Sequence, residues 1–358
     1  MISAKPDAAP RAMDWLDYGR LVAALWVMLD HYCFAGVSPQ INASITGYGA
    51  LSGLSAYGMA GLYFFFATSG LVITLTAQNH SAAEFFTRRL VRIYPTFLFA
   101  MTLTALIAHW GPERFHVTFA QYLANLTLNP VAFGYRPVDA VYWTLTVEIT
   151  FYFFVLMVIL TGLMRRLQTV ITVWVVLQVV CARLPISIPM LSQSYYFIAV
   201  GAVLALIYQR RSPWLNGALL AALLALCLRS GLHYTRQIHV DPWPLLAMIP
   251  AIFVLFMSFR GREVRLPFAR RIGSMTYPVY LLHFHIGLCL IYWFGDRSNQ
   301  WLLLTGVILL MLLASFAIDD VIEFRLRPVW LRLVRAAIAV PAGWDWVRRS
   351  RRIMAGGR

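Results

Sequence analysis

Apolar runs recur along the whole chain and are separated by short polar segments. A helix needs about 20 apolar residues to cross a bilayer, and ten runs approach that length. They cover residues 16–36, 57–77, 93–110, 141–162, 168–183, 193–207, 214–231, 243–259, 272–294 and 301–318. A weaker segment, 115–133, is typical of an interfacial or re-entrant helix. The pattern therefore predicts an all-α, polytopic membrane protein of about ten transmembrane helices.

The composition supports this prediction. Hydrophobic residues make up 60% of the 358 positions and charged residues 13%, against about 45–50% and 25% in soluble domains. These values exclude a disordered chain and argue against a soluble enzyme. Four cysteines without a CxxC pair argue against a disulfide scaffold.

The positive charges predict an orientation. If the N-terminus is cytoplasmic, 23 of the 30 basic residues fall in inner segments and six in outer ones, and Arg20 lies within the first span. The inner residues are Lys5, Arg11, Arg88, Arg89, Arg92, Arg165, Arg166, Arg210, Arg211, Arg260, Arg262, Arg265, Arg270, Arg271 and nine arginines of the C-terminal tail; the outer ones are Arg114, Arg136, Arg183, Arg229, Arg236 and Arg297. The positive-inside rule then places both termini in the cytoplasm.

The same distribution predicts the domain organisation. It also indicates which kind of partner the net charge of +15 serves to bind. We expect a transmembrane domain over residues 1–320 and a basic tail over 321–358 that lies on anionic lipid. No single basic patch with interleaved aromatic residues indicates nucleic-acid binding. The bilayer is therefore the predicted partner of most of the charge, and we expect no soluble domain beyond the transmembrane one.

The first span carries ionisable residues, which cost at least about 2.5–3.5 kcal/mol each at the centre of a bilayer. Arg20 and His31 are 11 residues apart, which places them on one helix face, about 16 Å apart along the axis. Asp17 lies one turn before Arg20 and is expected to pair with it. A cleaved signal peptide would not carry these charges, so we expect the helix to be retained. With these charges aligned on one stripe, a functional site and a hydrogen-bonded core histidine are about equally consistent with the sequence.

Other polar residues also lie at membrane depth. They are Ser69, the group Arg88, Arg89 and Arg92 before Pro95, Glu148, and the set Tyr277, Tyr280, His283 and His285. Small-residue packing explains Ser69, topology explains part of the arginine group, and aromatic packing explains the tyrosines. Three guanidiniums at one helix mouth also suit a phosphate-bearing ligand. Without HxxxH or HExxH spacing, no metal site is predicted.

Five segments together resemble the integral-membrane acyltransferase-3 family. Leu16 to Ala24 followed by His31 resembles its Arg–ten residues–His opening, and Phe65 to Gly70 its FFxxSG segment. Phe86 to Pro95 resembles its RxxRIxP segment, Trp143 to Glu148 its WSLxxE, and Ser274 to His283 its closing SYxxYLxH stretch. The five motifs occur in family order. Leu71, Thr144, the Met275-Thr276 insertion and the wider Glu323–Pro328 spacing depart from the family pattern.

The resemblance implies transfer of an acyl group, most often acetyl from acetyl-CoA, to a hydroxyl. His31 is then the general base or the nucleophile, and Glu148 holds or charges a partner. We expect the donor to contact Arg20, Arg88, Arg89 and Arg92, and the substrate cavity to include Asp17, Ser69, Tyr277, Tyr280 and His283.

Several alternatives stay open at this point. An outward-facing acceptor would be an envelope polysaccharide or its lipid-linked precursor, which the long 111–140 loop favours, and an inward-facing one a small natural product. A secondary transporter or a structural partner of a glycan-export assembly would also carry such helices. The arginine-dominated basic set suggests a bacterial source and hence the inner membrane. The sequence leaves the oligomeric state open.

Overall fold

A computed structural model describes residues 13–184 and 188–339 of the chain. Over these residues the protein is all-helical, with 77% helix and no strand, which confirms the predicted fold class. The helices are α1 (Asp14–Asp30), α2 (Ala50–Ser55), α3 (Met59–Ala77), α4 (Ala82–Ala108), α5 (Phe119–Asn125), α6 (Trp143–Leu160), α7 (Leu167–Cys181), α8 (Tyr196–Tyr208), α9 (Pro213–Gln237), α10 (Pro242–Ser258), α11 (Ala269–Phe294), α12 (Gln300–Ile318) and α13 (Arg327–Ala339).

Each predicted span corresponds to a helix. Seven helices of the described part are long and apolar enough to cross a membrane, and the helical segments Gln193–Tyr208 and Pro242–Ser258 are shorter apolar ones. The first span is not among these seven, because α1 carries Asp14, Asp17, Arg20 and Asp30. The protein is therefore a multi-pass membrane protein whose first helix carries four charged residues.

The start of α4 differs from the prediction. The helix begins at Ala82 rather than near residue 93, because Ser81 and Glu84 form a capping box. The Ser81 hydroxyl accepts from the Glu84 N–H at 3.3 Å, and the Glu84 carboxylate accepts from the Ser81 N–H at 3.0 Å. Arg88, Arg89 and Arg92 consequently lie on a helix instead of in a loop.

Helix α3 packs most extensively against α8, and two glycines make this close approach possible. A Cβ at Gly70 would overlap the Ile198 carbonyl, and one at Gly201 would overlap the Ala67 carbonyl. Such small-residue contacts drive helix association in membranes. The polar helix α1 lies between α3 and α11, so its charged residues are shielded from lipid.

Contacts between distant segments support the predicted alternation of the helices. At one end, Asp14 accepts from the Leu266 N–H at 2.9 Å, and Arg271 pairs with Asp320 at 2.7 Å. At the other, Asn42 donates to the Gly295 carbonyl at 2.6 Å, and Trp293 donates to the Trp110 carbonyl at 2.9 Å. These contacts join predicted inner segments to inner ones and outer segments to outer ones; the two ends are called the inner and the outer end below.

The segment after α12 continues as a π-helix, Asp319–Arg325, and packs against α4 and α11 at the inner end. Helix α13 follows and also contacts α4. The predicted segment 115–133 contains only the short α5, flanked by the turns Glu113–Phe115 and Pro130–Phe133. The parts of the predicted tails at 1–12 and 340–358 lie outside the described residues.

Candidate active site

A cavity of about 240 Å³ lies between α1, α3, α4, α6 and α11. We call it the inner cavity, because its arginines come from the inner parts of α1 and α4. Its polar lining consists of Arg20, Ser69, Arg89, Arg92, Thr144, Glu148, Tyr152, Thr276, Tyr277 and Tyr280, and the rest is mainly apolar. Most of the residues that the sequence singled out therefore share one space.

Arg89 is the cavity arginine best placed to meet an anionic ligand. Its Nη2 donates to the Thr76 hydroxyl at 3.2 Å, and its guanidinium lies 5.5 Å from the centre of the Tyr152 ring. Its buried Nε has no hydrogen-bond partner among the described residues. A buried donor without a partner is unfavourable by about 1–3 kcal/mol, so this group fits a ligand oxygen.

Arg92 lines the cavity but is already held by the protein. It pairs with Glu323 at 3.1 Å, and Glu323 also accepts from the Thr96 hydroxyl at 3.0 Å. Arg92 donates to the Ser274 carbonyl at 3.3 Å, which is free because Pro278, four residues later, has no N–H. Arg92 therefore joins α4 to α11 and to the π-helix after α12.

Glu148 faces two hydroxyls in the same cavity. It accepts from the Tyr152 hydroxyl and, at 3.4 Å, from the Ser69 hydroxyl. Arg20 also lines the cavity and pairs with Asp17 at 3.1 Å. The carboxylate of Glu148 thus balances part of the positive charge around the cavity.

Tyr280 forms the boundary between the inner cavity and the histidines. Its hydroxyl oxygen lies 3.0 Å from the Thr144 hydroxyl, so the threonine that departs from the family motif still supplies a hydroxyl group. The Tyr280 ring lies 6.0 Å from Phe65 on one side and 5.6 Å from His283 on the other. Tyr280 therefore lies between the inner cavity and His283.

His31 and His283 form a hydrogen-bonded pair beyond Tyr280. The His31 Nδ1 lies 2.7 Å from the His283 Nε2, and the rings are stacked with an interplanar angle of 18°. The His283 Nδ1 lies 2.8 Å from the Tyr280 carbonyl and 3.2 Å from the Val279 carbonyl. Carbonyls only accept, so the His283 Nδ1 carries a proton, and the Nε2 of the neutral ring is an acceptor.

This arrangement fixes the tautomer of His31. Because the His283 Nε2 accepts, the His31 Nδ1 must donate to it, and the lone pair of neutral His31 lies on Nε2. A base or nucleophile oriented by a second group is the arrangement that acyl transfer needs. The main chain of α11 thus positions His283, and His283 positions His31.

Three outer-end side chains hold this part of α11. Tyr32 donates to the His283 carbonyl at 2.5 Å, and Tyr142 donates to the Leu281 carbonyl at 3.2 Å. Asp139, which is fully buried, accepts from the His285 N–H at 2.9 Å. The backbone that carries His283 is therefore fixed from two neighbouring segments.

A second pocket lies at the outer end and is called the outer pocket. Its volume is about 440 Å³, and its lining includes Arg114, Arg136, Trp143, Phe284 and His285. The Phe284 ring contacts His31 at a centroid distance of 4.4 Å. The histidine pair is therefore located between a pocket at each end of the bundle.

The family model described as an acyltransferase domain, of the acyltransferase-3 type, matches residues 13–320. The chain belongs to the membrane acyltransferase-3 family. No curated protein and no solved structure matches the chain. Membership confirms the resemblance, and it favours an enzyme over the transporter and the structural partner that the sequence left open.

The acyltransferase brings together most, but not all, of the predicted site residues. Arg20, Ser69, Arg89, Arg92, Glu148, Tyr277 and Tyr280 line the inner cavity, and His31 contacts His283 beyond it. Arg88 is exposed on α4, and Asp17 packs against Gly273 outside the cavity lining. Glu148 lines the inner cavity whereas His31 is not part of its lining, so the two predicted catalytic residues occupy different parts of the site.

Three residues with contacts at the site were not among the site residues predicted from the sequence. Asp139 follows a polar loop, Tyr152 lies one turn after Glu148, and Glu323 is in the predicted tail. The sequence signals were present for two of them. Tyr152 is at i+4 from Glu148, and Glu323 is an acid at the inner end of an apolar span.

Proposed function

We propose that the protein transfers an acetyl group from cytosolic acetyl-CoA to a hydroxyl of a cell-envelope polysaccharide or its lipid-linked precursor, in a bacterial inner membrane. The observation that carries this proposal is the 2.7 Å hydrogen bond between His31 and His283, formed between the inner cavity and the outer pocket. A donor and an acceptor that arrive from opposite ends would meet at this pair.

The inner cavity suits the acyl-bearing arm of the donor. Its volume of about 240 Å³ is below the range of about 300–1,000 Å³ for pockets of drug-sized ligands, so it fits the arm rather than the whole nucleotide. The buried Arg89 Nε, which has no partner in the described part of the chain, supplies a hydrogen-bond donor within the cavity wall. Arg20 and Arg92 add positive charge there, and the exposed Arg88 is available to phosphates at the inner surface.

The chemistry follows from the tautomer. The His31 Nε2 takes the proton of the acceptor hydroxyl, and the acceptor oxygen forms a bond to the thioester carbonyl carbon. The carbon–sulfur bond then breaks, and the leaving thiolate takes the proton back from His31. His283 accepts from the His31 Nδ1 throughout and so stabilises the imidazolium that forms.

Glu148 belongs to the donor side of this scheme. It accepts from Ser69 and Tyr152 within the cavity that Arg20 and Arg89 line. We assign Glu148 the role of holding Ser69 and Tyr152 in place around the donor. An isolated carboxylate would repel the donor's phosphates, whereas a carboxylate whose charge is balanced by the nearby arginines helps to orient those arginines. Tyr277, Tyr280 and Ser69 shape the path of the arm.

The position of the outer pocket supports an outward-facing acceptor over a metabolite in the cytosol. Phe284 belongs to both the pocket lining and the surroundings of His31. An acceptor in this pocket is consequently next to the base without entering the inner cavity.

A test is acyl transfer by the purified full chain with His31→Ala, with His233→Ala as control. His233 is exposed on α9 and is far in sequence from both His31 and His283. We expect the first variant to lose transfer by about 10²-fold or more and the control to retain it. Transfer by a correctly inserted His31→Ala protein at the level of the control would contradict the proposed role.

A further inference from the structure

The outer pocket has a strongly one-sided charge. Arg114 and Arg136 line it together with His116 and His285, and no acidic side chain is part of the lining. Both arginines lie in an outer segment, where the positive-inside rule does not account for them. Their presence therefore needs a reason other than orientation.

Side chains of α5 hold the segment that carries Arg136. Gln121 donates to the Arg136 and Pro137 carbonyls at 3.3 and 3.2 Å, and Asn125 donates to the Arg136 carbonyl at 3.1 Å. The Asn125 amide oxygen also accepts from the Val138 N–H at 2.9 Å. The main chain is fixed, whereas the Arg136 side chain is exposed and makes no ion pair or hydrogen bond within the described residues. The position of Arg136 on the pocket wall is therefore fixed by its main chain, and its guanidinium is available to a ligand.

Arg114 is oriented on the pocket wall. Its Nη1 donates to the Gln40 side-chain oxygen at 3.1 Å, and its guanidinium lies 4.9 Å from the centre of the Phe115 ring. Neither contact neutralises its charge, because Gln40 is uncharged and a ring face leaves the guanidinium edge free. Its remaining N–H groups are available to an anion.

A buried histidine supplies an independent indication of a ligand. His285 is 8% exposed and stacks on Phe115 at 4.1 Å, and its Nδ1 has no hydrogen-bond partner among residues 13–184 and 188–339. An unpartnered polar atom of a buried side chain in a pocket wall is unfavourable unless a ligand or water contacts it.

The remaining wall is aromatic. Trp143, which is 39% exposed, and Phe284 are both part of the lining. Aromatic faces present flat apolar surfaces on which the C–H face of a sugar ring packs. An aromatic wall combined with two guanidiniums that form no ion pair with any described residue is thus suited to a sugar that also carries a negative charge.

We propose that the outer pocket binds the acceptor through an anionic sugar residue, one that carries a carboxylate or a phosphate, with Arg114 and Arg136 contacting the anion. This inference rests on the proposed function, since it assigns the acceptor class of the same site. The anionic residue occupies the arginine side of the pocket, and the sugar hydroxyl to be acylated lies on the Phe284 side, next to His31.

The test measures binding directly, without turnover. Three probes are titrated into the purified full chain: an oligosaccharide of alternating glucuronic acid and N-acetylglucosamine, a neutral oligomer of N-acetylglucosamine of equal length, and N-acetylglucosamine 1-phosphate. We expect at least one charged probe to bind about tenfold or more tightly than the neutral oligomer. The better of the two charged probes identifies the carboxylate or the phosphate as the preferred anion.

The variants Arg136→Gln and Arg114→Gln are compared with Arg297→Gln. Arg297 is an exposed outer arginine outside the pocket lining. We expect each pocket variant to reduce the preference for the charged probe about tenfold and Arg297→Gln to leave it unchanged. Equal binding of charged and neutral probes by the wild-type chain, or an unchanged preference in the Arg114→Gln/Arg136→Gln double variant, would overturn the proposal.

Acyl transfer to the neutral oligomer separates this inference from the proposed function. Transfer that depends on His31 but shows no preference for charged acceptors would overturn the anionic site and leave the acyltransfer mechanism intact. Binding of the charged probe that depends on Arg136, without acyl transfer to any acceptor, would support the site and contradict the mechanism.

Discussion

At the scale of residues, the site depends on a chain of oriented hydrogen bonds. The carbonyls of Val279 and Tyr280 accept from His283, and His283 accepts from His31. The sequence indicated His31 from its position on a charged helix face, but the partner is 252 residues away. No spacing rule relates residues on different helices, so the tautomer follows only from the structure.

This chain predicts a specific kinetic effect for His283. His283→Phe removes the acceptor for the His31 Nδ1, so we expect kcat to fall about 10²-fold or more. The KM for acetyl-CoA is expected to change little, because the inner cavity, where we propose that the donor binds, lies on the other side of Tyr280. Steady-state release of the CoA thiol measures both constants.

The conservative variant His283→Gln provides the control for that measurement. Its side-chain oxygen can still accept a hydrogen bond, so it should recover part of the lost kcat. A raised KM with an unchanged kcat in His283→Phe would show that His283 shapes the donor site instead of orienting His31.

At the scale of elements, the sequence predicted that the spans form helices. It predicted less well where the helices begin and end and which helices pack against each other. Continuous apolar runs marked the spans, whereas the start of α4 depended on the Ser81–Glu84 capping box. Gly70 illustrates the limit for packing, because its motif suggested small-residue packing without naming the partner, which is the main chain of Ile198 on α8. Neighbouring Ser69 faces Glu148 instead, so one motif serves both packing and the site.

The close contact of α3 with α8 predicts different outcomes for two glycines. Gly70→Ala places a Cβ against the Ile198 carbonyl, whereas a Cβ at Gly217 meets open space. We expect the first variant to lower the thermal unfolding midpoint in detergent, because backbone must move to relieve the overlap. Gly217→Ala should leave it unchanged or raise it slightly. Equal midpoints for both variants would contradict the described packing.

The π-helix after α12 predicts a stabilising role for Glu323. Its side chain is 8% exposed and pairs with Arg92, which is 33% exposed. Because one partner is partly solvated, we expect Glu323→Gln to lower the free energy of unfolding by only about 1–2 kcal/mol.

Glu263→Gln is the matched control, since Glu263 and its partner Arg265 are 54% and 81% exposed and lie 3.9 Å apart. An exposed pair of this kind is expected to contribute less than about 0.5 kcal/mol. Denaturant titration of both variants in detergent makes the comparison, and a larger loss in Glu263→Gln would be inconsistent with the buried position of Glu323.

At the scale of the whole molecule, the distribution of arginines predicted which segments share an end of the bundle. The pairing of Arg271 with Asp320, and of Asn42 with Gly295, agrees with that assignment. The charges did not reveal that the two ends each contain a pocket, because a pocket arises from side chains of several helices. The domain boundary at residue 320 stays a prediction, and the π-helix that crosses it packs on the bundle.

The orientation itself is testable by cysteine labelling. In a background with Cys181→Ser, which removes the one native thiol that is not buried, single cysteines are introduced as Arg262→Cys and Ser298→Cys. We expect a membrane-impermeant thiol reagent to label Ser298→Cys in intact cells and Arg262→Cys only after permeabilisation. The opposite pattern would reverse the topology and place the inner cavity on the wrong side for the proposed cytosolic donor.

Our central claim is that His31 promotes acyl transfer from a donor that enters at the inner end to an acceptor that binds at the outer end. The direct measurement uses sealed proteoliposomes with radiolabelled acetyl-CoA on the side of the inner cavity and an oligosaccharide acceptor on the other side. We predict that the wild-type chain and His233→Ala acetylate the acceptor across the membrane, and that His31→Ala does not. Acetylation by His31→Ala at the wild-type rate, or acetylation only when donor and acceptor share one side, would contradict the account.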